Sequence, residues 1–278
     1  MKLINKKQQT IKQNITFNGI GIHTGKISNI TLMPAHENAG ITFIRVDKQG
    51  AKIPCSPEYL VPGQRATILE KNGCRILTPE HLLASLHCLS ITNIDIYINN
   101  EEIPILDGSA SNFIDIILKA IPTEQSKNQF LLKIKHPIVV SDKQSQIIVL
   151  PSDTTKYSYF LKSPEKFINN QGFHLFSDHT NWSESIGKAR TWAHYNDIKG
   201  LLDKGLAQGG SLENAVVFKE DGYINKLRYK DELIRHKILD LVGDTWILGK
   251  RIIGHVIGFG SGHALNTKLV QELSKLQT

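Results

Sequence analysis

No stretch of this sequence approaches 18 consecutive apolar residues, so nothing in it reads as a transmembrane helix. Cysteine is scarce. Cys55, Cys74 and Cys88 are an odd number at spacings of 19 and 14, which fits neither a disulfide framework nor a paired CxxC metal site. The opening MKLINKKQQTIKQNI carries charge without an apolar core and so lacks the pattern of a secretory signal. Both absences point to a reducing, cytoplasmic setting. Aromatics make up only 7% of the chain, and no basic stripe interleaves with them. Nucleic acid is therefore a poor partner, despite 33 Lys+Arg against 26 Asp+Glu. The net +7 is scattered, and its densest cluster (Lys2, Lys6, Lys7, Lys12) reads as a solvated terminal tail. A charge of this sign suits a phosphate-bearing ligand. What remains is an ordinary folded composition, 40% hydrophobic over 278 residues, enough for one large domain or two medium ones.

Residues 15–21, 28–33 and 41–46 read as strands, and Lys71-Asn72-Gly73 as a hairpin turn. A helix is expected with Thr78 as N-cap, Pro79 in the first helical position and Glu80 against the positive end of the dipole. Leu82, Leu83, Leu86 and Leu89 give it an apolar face. Residues 94–98 follow as a strand and 109–120 as a second helix. The polar stretch 121–129 marks a boundary between an N-terminal domain (1–126) and a C-terminal domain (127–278). The same order then returns. Strands are expected over 131–140, 146–150 and 157–161, helices over 184–195 and 231–248, a strand over 252–259 and a closing helix from about residue 264. Strands followed by paired helices, twice over, predict an α+β fold of two similar domains, although no residue-level repeat is visible.

Most of the eleven histidines have no partner at a telling spacing and read as surface or packed residues. His236 and Asp240 differ. They stand i, i+4 on an otherwise apolar helix, close enough to grip one ion, and Asp244 extends the stripe by a turn. A surface His–Asp pair is the simpler account of the same spacing. Glu80-His81 is a second candidate, because a catalytic metal needs ligands, an open position and a nearby base. It is not an HExxH motif, since the residue four after Glu80 is Ala84. The third candidate is Gly258-Phe-Gly260-Ser-Gly262-His263. A dinucleotide loop needs an acidic residue about 20 positions on, and only 15 residues follow His263. The glycines can instead present His263 at the edge of a site, where a carboxylate such as Asp244 keeps it protonated, or form a plain turn.

The order of several blocks resembles the UDP-3-O-acyl-N-acetylglucosamine deacetylases, zinc amidases of lipid A biosynthesis. The blocks are Gly19-Ile-Gly21-Ile-His23-Thr24-Gly25, Pro34-Ala-His-Glu-Asn-Ala-Gly-Ile-Thr-Phe, Thr78-Pro-Glu-His-Leu-Leu-Ala and Glu102-Ile-Pro-Ile-Leu-Asp-Gly-Ser. Ala189-Arg-Thr191, Gly205-Leu-Ala-Gln-Gly-Gly-Ser-Leu-Glu-Asn-Ala, Arg235-His-Lys-Ile-Leu-Asp-Leu-Val-Gly-Asp244 and Ser261-Gly-His-Ala-Leu-Asn266 complete the set. The resemblance implies two α+β domains packed helices-inward around one site. It implies His81, His236 and Asp240 as zinc ligands (iron(II) fits the same set), Glu80 as general base, and His263 as a protonated histidine oriented by Asp244. It further implies Thr191 as donor to the oxyanion, and Lys237, Thr191 and Trp192 as substrate contacts. The implied reaction removes the N-acetyl group of UDP-3-O-(3-hydroxyacyl)-N-acetylglucosamine, releasing acetate. Another metal-dependent N-deacetylase of a nucleotide sugar shares the metal residues. A monomer is expected, with transient contact to a membrane surface.

The chain departs from the family at Gly260, where many members carry lysine, and at Trp192 and His194, where phenylalanines are common. Residues 165–179 match no family motif but lie where the family inserts elements that guide the acyl chain.

Overall fold

The computed structural model describes residues 6–63, 65–161, 163, 165, 167–168, 171–176 and 182–277. Two five-stranded mixed sheets organise it. In the first, Ile15–Ile20, Ile27–Pro34, Ile94–Ile98, Ile41–Arg45 and Ala51–Pro54 lie side by side in that order. In the second the order is Ile138–Ser141, Gln146–Leu150, His255–Phe259, Lys156–Leu161 and Gln171–Phe176. The two share one topology. In each, the last strand in sequence enters the middle, antiparallel to the second strand and parallel to the third. The repetition that leaves no trace in residue identity is therefore a repetition of strand order.

Each sheet carries two helices in matching places. Helices α1 (Glu80–Cys88) and α2 (Ser111–Lys119) belong to the first, and α4 (Glu232–Trp246) and α5 (His263–Ser274) to the second, with α3 (Tyr195–Asp203) inserted between. Helices α1 and α4 are buried almost throughout, because the apolar faces of both sheets close on them from either side. Gly243 brings them together. A Cβ at this position would stand 2.0 Å from the Glu80 carbonyl oxygen, so only glycine lets the helices touch backbone to backbone. Among the described residues, no helix is long and apolar enough to cross a membrane. All three cysteines are free thiols.

Several sequence expectations change. Thr78 is not a cap. Its φ is +57°, Pro79 takes the capping position, and the Thr78 hydroxyl donates to Glu102 (3.2 Å). Glu102, fully buried, collects that hydroxyl along with the His23 and Thr24 backbone N–H groups, and this demand outweighs the local capping preference. The stretch 131–140 is two strands separated at Pro137. Leu131–Lys133 pairs with Arg251–Ile253, while Ile138–Ser141 joins the second sheet. The strand expected over 252–259 breaks likewise at Gly254, where a Cβ would press on Ile134 at 2.7 Å. The polar stretch 121–129 is largely a strand, Pro122–Asn128, paired antiparallel with Lys7–Ile11. The basic terminus is thus held in a ribbon from Lys7 onward, and Lys2 lies outside the described residues.

The helix expected over 184–195 is absent. One π-helical turn, Ser183–Gly187, gives way to an extended chain and the strand Trp192–His194, and helix begins only at Tyr195. Tertiary partners take the backbone groups that a helix would have used. The Arg190 N–H donates to buried Glu232 (3.0 Å) and the Thr191 N–H to the Gly108 carbonyl (2.8 Å).

Candidate active site

The first turn of α1 stands over the middle of α4, and the start of α5 closes the third side. On α4, His236, Asp240 and Asp244 follow one another at single-turn intervals on one stripe. His81 reaches them from α1, its ring edge-on to that of His236 with centroids 4.9 Å apart. The His236 Nε2 lies 3.2 Å from Asp240 Oδ1, and His81 Nε2 lies 3.6 Å from the same oxygen. Each of the three offers one donor atom within 4.8 Å of the others, and all three are buried. Asp240 Oδ1 has no hydrogen-bond donor. A buried carboxylate oxygen facing only imidazole nitrogens is costly unless a cation completes it. Two imidazoles and a carboxylate form the donor set of an open zinc or iron(II) site, so these residues can hold a metal ion.

The neighbours support that use. The Ala189 carbonyl sits 3.0 Å from His236 Nδ1, which fixes the proton there and frees Nε2 toward the cluster. Burial holds the His81 imidazolium below its ordinary pKa, partly offset by Asp240, and so favours the neutral ligand form. Burial disfavours the Asp240 carboxylate, yet His236, Lys237 and His263 together hold its pKa well below the usual carboxylate range. Lys237 donates to Asp240 Oδ2 (3.0 Å). Although burial works against its charge, Asp240 keeps the ammonium protonated.

Beside this cluster lies an acid–base pair. Glu80 is buried, and that burial, reinforced by Asp244 and Asp240 and opposed by His263, pushes its pKa up to about 8. His263 places Nε2 3.7 Å from Glu80 Oε1 and Nδ1 2.8 Å from Asp244 Oδ2. Burial opposes its charge, but Asp244, Glu80 and Asp240 outweigh that and raise the pKa to about 10. At neutral pH this imidazole holds its proton.

These groups form one end of a cavity of about 630 Å³ that Thr191, Trp192 and Lys237 also line. Its further walls are mostly apolar, with Ile198, Leu201, Leu202, Leu212 and Val217 among them, and include the polar His23, Arg65 and Gln208. None of the residues of α3 is fully buried, because its apolar face is turned to the cavity instead of a core. The structure thus brings together every residue singled out from the sequence: Glu80, His81, Thr191, Trp192, His236, Lys237, Asp240 and His263 line the cavity, and Asp244 touches His263 from behind. It adds residues the sequence did not assign. Thr67 and Asn266 both donate to Asp244. Asn266 stands in a block quoted for the family resemblance, whereas Thr67 carries no motif.

The profile of the UDP-3-O-acyl N-acetylglycosamine deacetylase family matches residues 8–275. The chain belongs to this family. A relative from Chlamydia felis named UDP-3-O-acyl-N-acetylglucosamine deacetylase is 38% identical over 278 residues, covering 98% of this chain and 99% of its own. Relatives of the same name from Thermodesulfovibrio yellowstonii (41% identical; 96% of this chain, 91% of the relative) and Wolinella succinogenes (38%; 97% and 91%) are similar over comparable spans.

The positions expected to depart from the family pattern have distinct places in the fold. Gly260 adopts φ +59° in the turn before α5, where Ser145 donates to its carbonyl (2.8 Å). The Trp192 indole donates to the Leu233 carbonyl (3.2 Å) and forms a wall of the cavity. The His194 Nδ1 instead accepts from the Asn196 N–H and caps α3. Of the stretch 165–179, the residues at 166, 169–170 and 177–179 lie outside the described residues; Glu165 and Ile168 line a smaller pocket that shares Trp192 with the cavity, whose own apolar walls come mostly from 193–217 with Ile22, Ile105 and Leu265.

Proposed function

We propose that this chain hydrolyses the N-acetyl group of UDP-3-O-(3-hydroxyacyl)-N-acetylglucosamine in a zinc-dependent reaction of lipid A synthesis, releasing acetate. The observation that carries this reading is the convergence of a buried two-histidine, one-carboxylate cluster with a Glu80–His263 pair at the head of a cavity with apolar walls. The family's name and the names of its relatives give the substrate class.

His81, His236 and Asp240 would hold the ion, which when bound supplies a Lewis acid and a more acidic water. Iron(II) would serve the same donors. Glu80 stands within 4 Å of His263 Nε2, and its raised basicity suits it to take the proton of the attacking water. His263, held protonated by Asp244, faces the reacting carbonyl as a charged donor, and Thr191 adds a hydroxyl for the developing oxyanion. Proton delivery to the departing amine falls to Glu80 or His263. Lys237 and Trp192 border the sugar, the acyl chain lies along Ile198, Leu202 and Val217, and the net positive charge favours the UDP diphosphate.

In this reading residues 1–126 and 127–278 are two domains that each bring half of the site. The enzyme works in the cytoplasm as a monomer and meets an anionic membrane surface transiently. Sedimentation with anionic vesicles tests that last contact, and no binding at any salt concentration would dispose of it. Acetate release from the UDP-linked substrate, with and without chelator, on wild type and Glu80→Ala, tests the main reading. Expected are activity that chelator abolishes and zinc restores, and a loss of several orders of magnitude in Glu80→Ala. Full turnover without metal would refute the zinc assignment, and unchanged turnover in Glu80→Ala the assignment of the base.

A further inference from the structure

The side chain of Thr67 is buried at the back of the site, in the turn that leads into the strand Ile68–Lys71. Its hydroxyl donates to Asp244 Oδ1 at 2.5 Å and lies 3.3 Å from His263 Nδ1. The other carboxylate oxygen, Oδ2, faces His263 Nδ1 and accepts from Asn266 Nδ2, both at 2.8 Å. The Thr67 main chain reaches the second member of the acid–base pair. Its N–H points at Glu80 Oε2 (3.4 Å), and its carbonyl accepts from the Thr78 N–H (3.0 Å), two residues before Glu80. One residue of the N-terminal half therefore touches Glu80 through its backbone and the Asp244–His263 couple through its side chain.

We infer that Thr67 is a positioning residue for His263: by tying down Asp244 Oδ1 it fixes the plane of the carboxylate, and with it the direction of the imidazole. A carboxylate held at one oxygen can turn about its Cβ–Cγ bond, whereas one held at both cannot. Asp244 is buried, so loss of the Thr67 hydroxyl leaves Oδ1 without a donor, and the group turns to recover one. The imidazole follows Oδ2, and its Nε2 leaves the line between Glu80 and Asp240, from which it now stands 3.7 and 3.9 Å. Because Thr67 comes from one half of the chain and Asp244, Asn266 and His263 from the other, the same bond sets the alignment of the two halves at the reacting centre.

As a statement about turnover this rests on the proposed deacetylase reading; as a statement about the imidazole it does not. The test compares the full-length, zinc-loaded wild type with Thr67→Val, which keeps shape and loses the donor, and Thr67→Ser, which keeps the donor. In ¹⁵N-histidine-labelled protein the His263 Nδ1–H resonance should move upfield in Thr67→Val and return in Thr67→Ser. With the UDP-linked substrate, Thr67→Val should lose about tenfold to a hundredfold in kcat with KM little changed, the size of loss that misorientation of a reacting group produces. Thr67→Ser should recover most of it, with zinc content equal in all three. An unmoved Nδ1–H resonance in Thr67→Val overturns the inference even if the wild type proves inactive on this substrate, an inactivity that would instead sink the deacetylase reading. Undiminished kcat in Thr67→Val, or a loss that merely tracks loss of zinc, also overturns it.

Discussion

Gly243→Ala places a single methyl group where the two halves of the site meet. Its Cβ would stand 2.0 Å from the Glu80 carbonyl oxygen, 2.8 Å from the carbonyl carbon and 3.1 Å from Cα. An unstrained carbon–oxygen contact is about 3.3 Å, so α1 and α4 must part or slide by roughly an ångström. Backbone on both sides leaves no flexible side chain to absorb the shift. Alanine is the better helix former by about 1 kcal/mol, and overpacking costs about 1–3 kcal/mol, so the fold should lose no more than about 2 kcal/mol. The site is far less tolerant. His81 belongs to α1 while His236 and Asp240 belong to α4, and metal–ligand distances hold to within about 0.2 Å. The expected outcome is a folded protein with a modestly lower unfolding midpoint and a zinc affinity reduced by about 10–100-fold, the size of loss that follows when metal ligands lose their orientation. Competitive zinc titration beside denaturant unfolding of the metal-free protein separates the two effects. Wild-type zinc affinity in folded Gly243→Ala would refute the claim that this contact sets the ligand geometry.

Three other perturbations follow from the same structure. Glu232→Gln breaks a buried ion pair with Arg190 (2.9 Å) and should cost about 3–5 kcal/mol in denaturant unfolding; a loss under about 1 kcal/mol would contradict the buried-pair argument. His87 packs edge-on to Trp246 (4.7 Å), and its pKa is held well below 6.5 by burial and then by Arg251. The unfolded chain therefore binds a proton that the native state refuses. The His87 contribution is whole above about pH 6.5 and fades as pH falls, by at most about 1.4 kcal/mol per unit. His87→Gln should flatten the fall of unfolding free energy between pH 6.5 and 5, and an unaltered slope would exclude this role. Ile198→Trp should fill part of the apolar cavity and raise KM for a long-acyl substrate more than for a short-acyl one; equal effects on both would place the acyl chain elsewhere.

The elements readable from sequence were those whose signals are local. Alternating residues in 15–20 and 41–45, the Asn72-Gly73 turn with both residues at positive φ, and the long apolar α4 depend on neighbours within a turn or a strand. Local signals are overridden where distant groups compete for the backbone. Helical periodicity over 184–195 was cancelled by Glu232 and Gly108 taking N–H groups, and Thr78 served Glu102 in place of the helix end. A polar ribbon such as Pro122–Asn128 offers no apolar alternation, so its strand character comes from pairing with Lys7–Ile11 alone.

For the site, the sequence by itself determined the chemistry on offer: the identities of Glu80, His81, His236, Asp240, Asp244 and His263, the single-turn spacing along α4 and the family that their order marks. Spacing relates residues on one helix and says nothing across helices. Only the tertiary structure decided that α1 meets α4 at Gly243, that Asp240 Oδ1 faces both imidazoles, and that Asp244, Glu80 and Asp240 gather around His263 closely enough to keep it charged against its burial. Thr67 belongs wholly to that second category, because a hydroxyl 177 positions from Asp244 in sequence becomes its partner only when both halves of the chain have closed.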